Sequence, residues 1–422
     1  MSLKDKPNFC IQPFIHLASW NDGAVPLCCI AQPEQGLNLN THTPVQIWNS
    51  EQFKSARLKF IAGEKLPQCA SCWKEEASGI KSHRIVENFM WEKKLGSEFL
   101  ETLVSNTHSD GSVDHTPLTL DLRLSNVCNL QCVMCRPRDS SKWLADSKKL
   151  AETLVSPAAK NDWHHKSMSI QDTTVFDWFE RLTTQESLDE FLGDIRHIIF
   201  GGGEPLLIKE HDRFIRRLVE SGNSKQIELR YHTNGTQLSE TILELWSHFK
   251  HVELMISIDD WGDRNEYVRY PAKWSTIKKN LDRLDQTPDT ISINILTSIH
   301  AMNIYNLPDF ALELLNSDWR KICKRNGKMI YLGTVHWPQY MSTKVLPADI
   351  KQKIIDKWNS HEQLKQHTYW NDRIVPQIEF MLSGDDSRLF NDLLDYIDKL
   401  DAIRPIKFRD VYSEYYNILM DE

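Results

Sequence analysis

Three cysteines stand within eight residues, Cys128, Cys132 and Cys135 in "CNLQCVMC", a C-x3-C-x2-C spacing. Thiolates this close can wrap an iron–sulfur cluster, because such clusters are held by Cys sulfur. Three ligands leave one iron of a four-iron cluster open, and an open iron can bind a substrate or cofactor. A structural Zn2+ site is the alternative, but it closes with four ligands, and no fourth follows at finger-like spacing. A second set lies upstream: Cys10, Cys28 and the C-x2-C pair Cys69 and Cys72 in "LPQCASC". Twelve residues separate Cys10 from Gly23, and four separate Gly23 from Cys28. Asn21-Asp22-Gly23 is a hairpin signal. A tight hairpin would bring Cys10 near Cys28, and the C-x2-C loop would then close a four-thiolate site. Spacing alone leaves iron–sulfur and Zn2+ both open there. Cys29 is the spare thiol, or an alternative to Cys28. The ninth cysteine, Cys323, lies among basic residues in "RKICKRNG" and reads as a solvated helix end.

Further candidates stand downstream of the trio. In "FGGGEP", Gly202 and Gly203 after an apolar run let a ligand approach the backbone closely, and Glu204 supplies a carboxylate that could hold an ammonium group. "HTNG" carries Asn234 and "SIDD" carries Ser257. Arg269, in "NEYVRYPAKW", can pair with a carboxylate through two hydrogen bonds, with Arg264 as its competitor.

These residues sit where strands should end. "PLTLDLRLS" at 117–125 alternates apolar residues at 118, 120, 122 and 124, the period of a strand. Further strands are expected at 195–200, 226–232, 252–258, 290–295 and 329–335, with helical patterns at 211–220, 239–249 and 305–316 between them. Six strands alternating with helices indicate an α/β fold with a mainly parallel sheet, whose ligands bind at the carboxyl ends of strands. Residues 138–192 read as a helical and polar insertion, the tail from 347 as helices, and "SNTHSDGSVD" at 105–114 as a linker.

The trio after the first strand, with "GGEP" after the second, resembles the radical S-adenosylmethionine (SAM) enzymes over about 117–340. The resemblance implies a partial (β/α)6 TIM-type barrel. A 4Fe–4S cluster on Cys128, Cys132 and Cys135 would bind SAM, with "GGEP" on the methionine amino group and Asn234, Ser257 and Arg269 around the rest. Reductive cleavage would yield methionine and a 5′-deoxyadenosyl radical that takes hydrogen from a substrate. The residue before the third Cys, often aromatic in that superfamily and near adenine, is here Met134, a polarizable gap-filler.

The stretch from Cys10 to Cys72, with "GAVPLCC" and "IWNSEQFKSARLKFIAG", resembles the SPASM or twitch auxiliary-cluster module. That module usually follows the barrel and in its full form carries two clusters; here it precedes the barrel with four or five Cys. One auxiliary 4Fe–4S cluster on Cys10, Cys28, Cys69 and Cys72 is implied, and four thiolates suit electron transfer. The expected domains are 1–104 for this module, 117–340 for the radical SAM core and 341–422 for a helical C-terminal extension. The resemblance further implies a peptide or protein side chain as substrate and an external one-electron donor such as flavodoxin or ferredoxin. A small molecule or RNA as substrate, or a non-catalytic iron–sulfur or zinc protein, are the alternative readings.

Composition bounds the rest. The chain has 422 residues, room for two to three domains at ~150 residues each. Its charged fraction of 26% and apolar fraction of 41% are those of a globular chain. The net charge of −8 gives no general attraction to phosphate backbones or anionic membranes, so nucleic acid and membrane are not expected partners. Nine Cys in a long chain with a polar, charged start suit a reducing cytoplasm rather than a disulfide framework.

Overall fold

The computed structural model describes residues 8–32, 36–77, 81–163, 176–184, 188–323, 330–367 and 370–420, the side chain of Cys323 excepted. Seven strands form one sheet in chain order: β1 (His16–Ser19), β2 (Thr119–Arg123), β3 (His197–Gly201), β4 (Glu228–Thr233), β5 (His251–Ser257), β6 (Ile291–Ile299) and β7 (Ile330–Thr334). The pairs β1–β2, β2–β3 and β6–β7 are parallel. Helices connect neighbours, as parallel pairing requires, and the sheet is open, with β1 and β7 at its ends. The helical tail includes Ala348–Ser360 and Phe390–Ile403.

The six strands expected from periodicity all form. The seventh, β1, is a correction. Trp20 to Ala24 do make a tight turn, with Gly23 at φ +82° and Trp20 N–H donating to Ala24 O at 2.8 Å. The chain before the turn, however, pairs in parallel with β2, Leu17 opposite Leu120, and Ala24 bridges Asn38 instead. No hairpin therefore carries Cys10 to Cys28; a sheet strand and a following loop do.

The chain divides into two compact units. The first comprises Met1–Ser125, Phe176–Arg230 and Thr241–Val252; the second comprises Asn126–Val175, Tyr231–Glu240 and Glu253–Glu422. In the first, the segment read as a linker is docked. Gly111, at φ +88°, lies so close to Lys54 that a Cβ would fall 2.3 Å from its carbonyl oxygen. Arg57, fully buried, donates to Gly111 O, Pro13 O and Trp48 O and stacks 4.5 Å over the Trp48 ring. In the second, β6 alternates buried and half-buried residues along its whole length, one face to the core. No helix among the described residues is long and apolar enough to cross a membrane.

Candidate functional site

The second unit holds the Cys trio. Asn126 to Ser140 form a loop without regular structure, and its shape comes from hydrogen bonds to other segments. Gln131 and Val133 donate their N–H groups to Tyr270 O and Val268 O, at 2.5 and 2.9 Å, as an added strand would. Cys135 N–H turns back to Cys132 O at 3.0 Å. Cys132 is buried, while Cys128, Met134 and Cys135 are half-buried.

Two side chains reach the sulfurs. Arg269 Nη1 lies 3.8 Å from Cys132 Sγ, and Asn234 Nδ2 lies 3.9 Å from Cys128 Sγ. Each is held from behind. Asp259 Oδ2 is 2.8 Å from Arg269 Nε, and its Oδ1 accepts from Arg269 Nη2 at 3.0 Å and from Ser298 N–H at 2.7 Å. Asn234 donates to Asn129 Oδ1 at 2.9 Å and accepts from Thr236 Oγ1 at 2.7 Å, which ties the end of β4 to the Cys loop. Gly235 follows at φ +72°, a conformation that favours glycine, packed on Ile256.

The thiol electrostatics follow from this arrangement. Cys132 is held below the ordinary thiol range, first by a hydrogen bond from Cys135 and then, against burial, by the positive charge of Arg269 and Arg404. Cys135, giving that hydrogen bond and partly withdrawn from water, is pushed up. The loop thus already favours a thiolate at one of its three sulfurs, the species that binds iron.

The structure brings Arg269, not Arg264, to the trio; Arg264 pairs with Asp260 at 2.8 Å. Ser257 ends β5 half-buried. Asp259, the third residue of "SIDD", fixes the Arg269 fork. Its neighbour Asp260 is fully buried and accepts from Arg264, Trp261 N–H and Tyr412 OH. Burial pushes Asp260 up to about 6 from 3.8. The folded carboxyl therefore keeps its proton over a range where the unfolded chain loses it. Its stabilising contribution is full below 3.8 and is lost as pH rises through about 6. An Asp260→Asn chain, followed by urea midpoint, should show less loss of stability than the wild type between those two values; parallel curves would contradict this.

In the first unit, Gly202 follows β3 at φ +108°, and a Cβ there would lie 2.7 Å from Ser125 O. Gly203 N–H donates to the same oxygen at 2.7 Å. Glu204 is fully buried and accepts from Leu206 N–H at 3.2 Å, opening the short 3-10 turn Pro205–Leu207. Gly202→Ala should cost about 1–3 kcal/mol from backbone strain alone, and the contact with Ser125 adds to it. A lowered urea midpoint would show this; an unchanged one would contradict it.

The same unit gathers the upstream cysteines. Cys10, Cys28, Cys69 and Cys72 line one small cavity, together with Gln12, His83 and Arg84. The helix His83–Leu95 holds the backbone on both sides of Cys10, since Asn88 accepts from Ile11 N–H at 2.9 Å and donates to Phe9 O at 2.9 Å. Arg84 donates to Phe9 O at 2.6 Å and pairs with Glu76 at 2.8 Å. Cys69 closes the turn Pro67–Cys69, and Cys72 stands in the helix that follows. Cys29 is not among the lining thiols; its Sγ meets His83 Nε2 at 3.5 Å.

Burial pushes Cys28 up to about 11 and Cys69 up to about 12, and raises Cys10 well above its ordinary value; neighbouring thiols add to each. Thiols that repel one another when ionised and face one cavity suit a cationic metal group, whose charge inverts that preference. They line a cavity rather than enclose a point: among the described residues, no three His, Cys, Asp or Glu close on a single ion.

Residues 122–297, which contain the trio, Glu204, Asn234, Ser257 and Arg269, match the Radical SAM superfamily. Over 321 residues it is 26% identical to the sporulation killing factor maturation protein SkfB of Bacillus subtilis (strain 168), covering 71% of this chain and 67% of that one. Solved structures with a similar chain course include native anSMEcpe with bound AdoMet, at 17% identity and TM-score 0.37, covering 66% of this chain and 65% of that one. Another is Streptococcus suis SuiB bound to precursor peptide SuiA, at 12% identity and TM-score 0.34, covering 75% and 64%. The chain thus spans about two thirds of the length of these relatives.

Proposed function

We propose that this chain is a radical SAM enzyme that modifies a peptide or protein side chain, with one auxiliary cluster in addition to the SAM-binding one. The observation that carries the reading is the three-thiol loop with Arg269 and Asn234 directed at two of its sulfurs. Donors to cluster sulfurs stabilise an anionic, reducible group, so the residues present fit a 4Fe–4S cluster on Cys128, Cys132 and Cys135. Such a cluster with SAM supplies reductive cleavage of the sulfonium carbon–sulfur bond and a 5′-deoxyadenosyl radical that abstracts hydrogen.

The chain's own residues bind and orient. Glu204 receives the SAM ammonium group, and Gly202 and Gly203 let SAM approach the backbone. Asn234, Ser257 and Arg269 would meet its remaining polar groups, and Met134 would serve the adenine. Cys10, Cys28, Cys69 and Cys72 would hold the auxiliary 4Fe–4S cluster, a group suited to electron transfer. The domains divide at 1–104, 117–340 and 341–422. An external one-electron donor such as flavodoxin or ferredoxin serves the chain in the cytoplasm.

The peptide substrate rests on the module's resemblance and on SkfB, a maturation protein by name. The experiment is anaerobic reconstitution with iron and sulfide, reduction, and addition of SAM. The reading expects methionine and 5′-deoxyadenosine as products. Their absence from a chain that has taken up both clusters would overturn it, and so would a chain that takes up only zinc.

A further inference from the structure

Four carbonyls of the Cys loop are met by buried side-chain donors, and two of these donors come from the C-terminal segment. Trp143 Nε1 donates to Cys132 O at 3.1 Å, and Arg136 Nη1 donates to Cys135 O at 2.9 Å. From the helix Phe390–Ile403, Tyr396 OH donates to Val133 O at 2.7 Å, across 263 positions of sequence. Arg404, just past the end of that helix, donates its Nη2 to Gln131 O. Both residues lie beyond 122–297, the part that matches the superfamily.

Arg404 differs from the other buried arginines. Arg136 pairs with Asp162 at 2.7 Å and Arg269 with Asp259 at 2.8 Å. Arg57 lacks a carboxylate but is met by three carbonyls and Asn49 Oδ1. Arg404 is 3% exposed and donates only to Gln131 O and to Tyr267 O, the latter at 3.0 Å. Its Nε meets no acceptor, and among the described residues no carboxylate forms an ion pair with it. The nearby Asp401 is engaged by Tyr267 OH and Phe408 N–H. The guanidinium sits over the Trp143 and Tyr270 rings at 5.3 and 5.1 Å, which help to hold a cation. A buried charge without a partner is costly, so a counter-charge is expected. Gln131, whose carbonyl it meets, directly precedes Cys132.

We propose that Arg404 is a positioning residue of the three-cysteine site. It fixes the backbone ahead of Cys132, and its buried charge balances the anionic, thiolate-held cluster and raises that cluster's reduction potential. The proposal rests on the reading that this loop holds a 4Fe–4S cluster. A cation in a low-dielectric surrounding stabilises the form with one more electron, and removing it lowers the potential.

The test uses the full chain, reconstituted anaerobically, as wild type, Arg404→Gln, Arg404→Lys and Tyr396→Phe. Redox titration is followed on the electron paramagnetic resonance signal that responds to SAM. Arg404→Gln should titrate at a lower potential than wild type, while Arg404→Lys and Tyr396→Phe, which keep the charge, should stay at the wild-type value. A folded Arg404→Gln chain with wild-type iron content and unchanged potential would overturn the proposal alone. If Arg404→Gln fails to fold, Arg404→Lys decides. Wild-type iron and potential there support the charge, whereas loss of helical circular dichroism in both variants makes Arg404 a scaffold residue and overturns it. A wild-type chain without a SAM-responsive signal would instead remove the cluster reading, and the proposal with it.

Discussion

A Cys132→Ala chain, reconstituted anaerobically, should make no 5′-deoxyadenosine from SAM, whereas a Cys69→Ala chain should still make it. Cys132 is the most buried of its trio and the one held below the ordinary thiol range. Its sulfur also lies 3.8 Å from Arg269 Nη1, so its loss removes both a ligand and the focus of the local charge. Two remaining thiols do not hold a cubane against exchange. Cys69 lines the other cavity, with Cys10, Cys28 and Cys72. Its loss should lower the iron content of the chain and leave SAM cleavage in place. Iron per chain and product yield, measured on both variants, check the pair of statements. Equal iron loss with equal loss of cleavage would contradict the division into two sites.

Arg269→Ala should destabilise the chain by about 3–5 kcal/mol, the cost of breaking a buried ion pair from one side. Asp259 has no exposed surface of note, and its carboxylate would keep only the Ser298 backbone N–H as a donor among the described residues. Burial already raises the Asp259 carboxyl against the pull of Arg269. Without the arginine, the carboxyl should remain protonated at higher pH, so the deficit should shrink in acid. The double variant Arg269→Ala with Asp259→Asn should recover part of the loss, because it leaves no buried charge behind. Urea unfolding of the apo chains measures this. A deficit below about 1 kcal/mol, the range of surface pairs, would contradict the account. SAM affinity should fall in both variants, since neither carries the fork.

The parts of this molecule that were legible in the sequence are those with a local signature. Six strands showed as apolar alternation or short apolar runs, and the helices between them as wider apolar periods. The trio declared itself by spacing, and Gly202 by the demand of a tight approach after a strand. β1 escaped because "HLAS" is four residues long and fully buried, so it has no alternation to read. The hairpin signal beside it was real as a turn and wrong as a pairing, because the parallel partner β2 lies about a hundred residues away and no local pattern encodes it. The same reason hid Arg404 and Tyr396, whose contacts with the Cys loop span 273 and 263 positions. Asp259 was visible as one half of "SIDD". Its burial against Arg269, and the different use of Asp260, arise only when β5 ends beside the helix Asp263–Val268.

The most direct measurement is Mössbauer spectroscopy of the chain reconstituted with iron-57, with and without SAM. The account predicts that one iron of the cluster on Cys128, Cys132 and Cys135 changes its isomer shift on SAM addition, as a site lacking a protein ligand acquires new donors. A cluster whose irons all keep their parameters when SAM is added would contradict it.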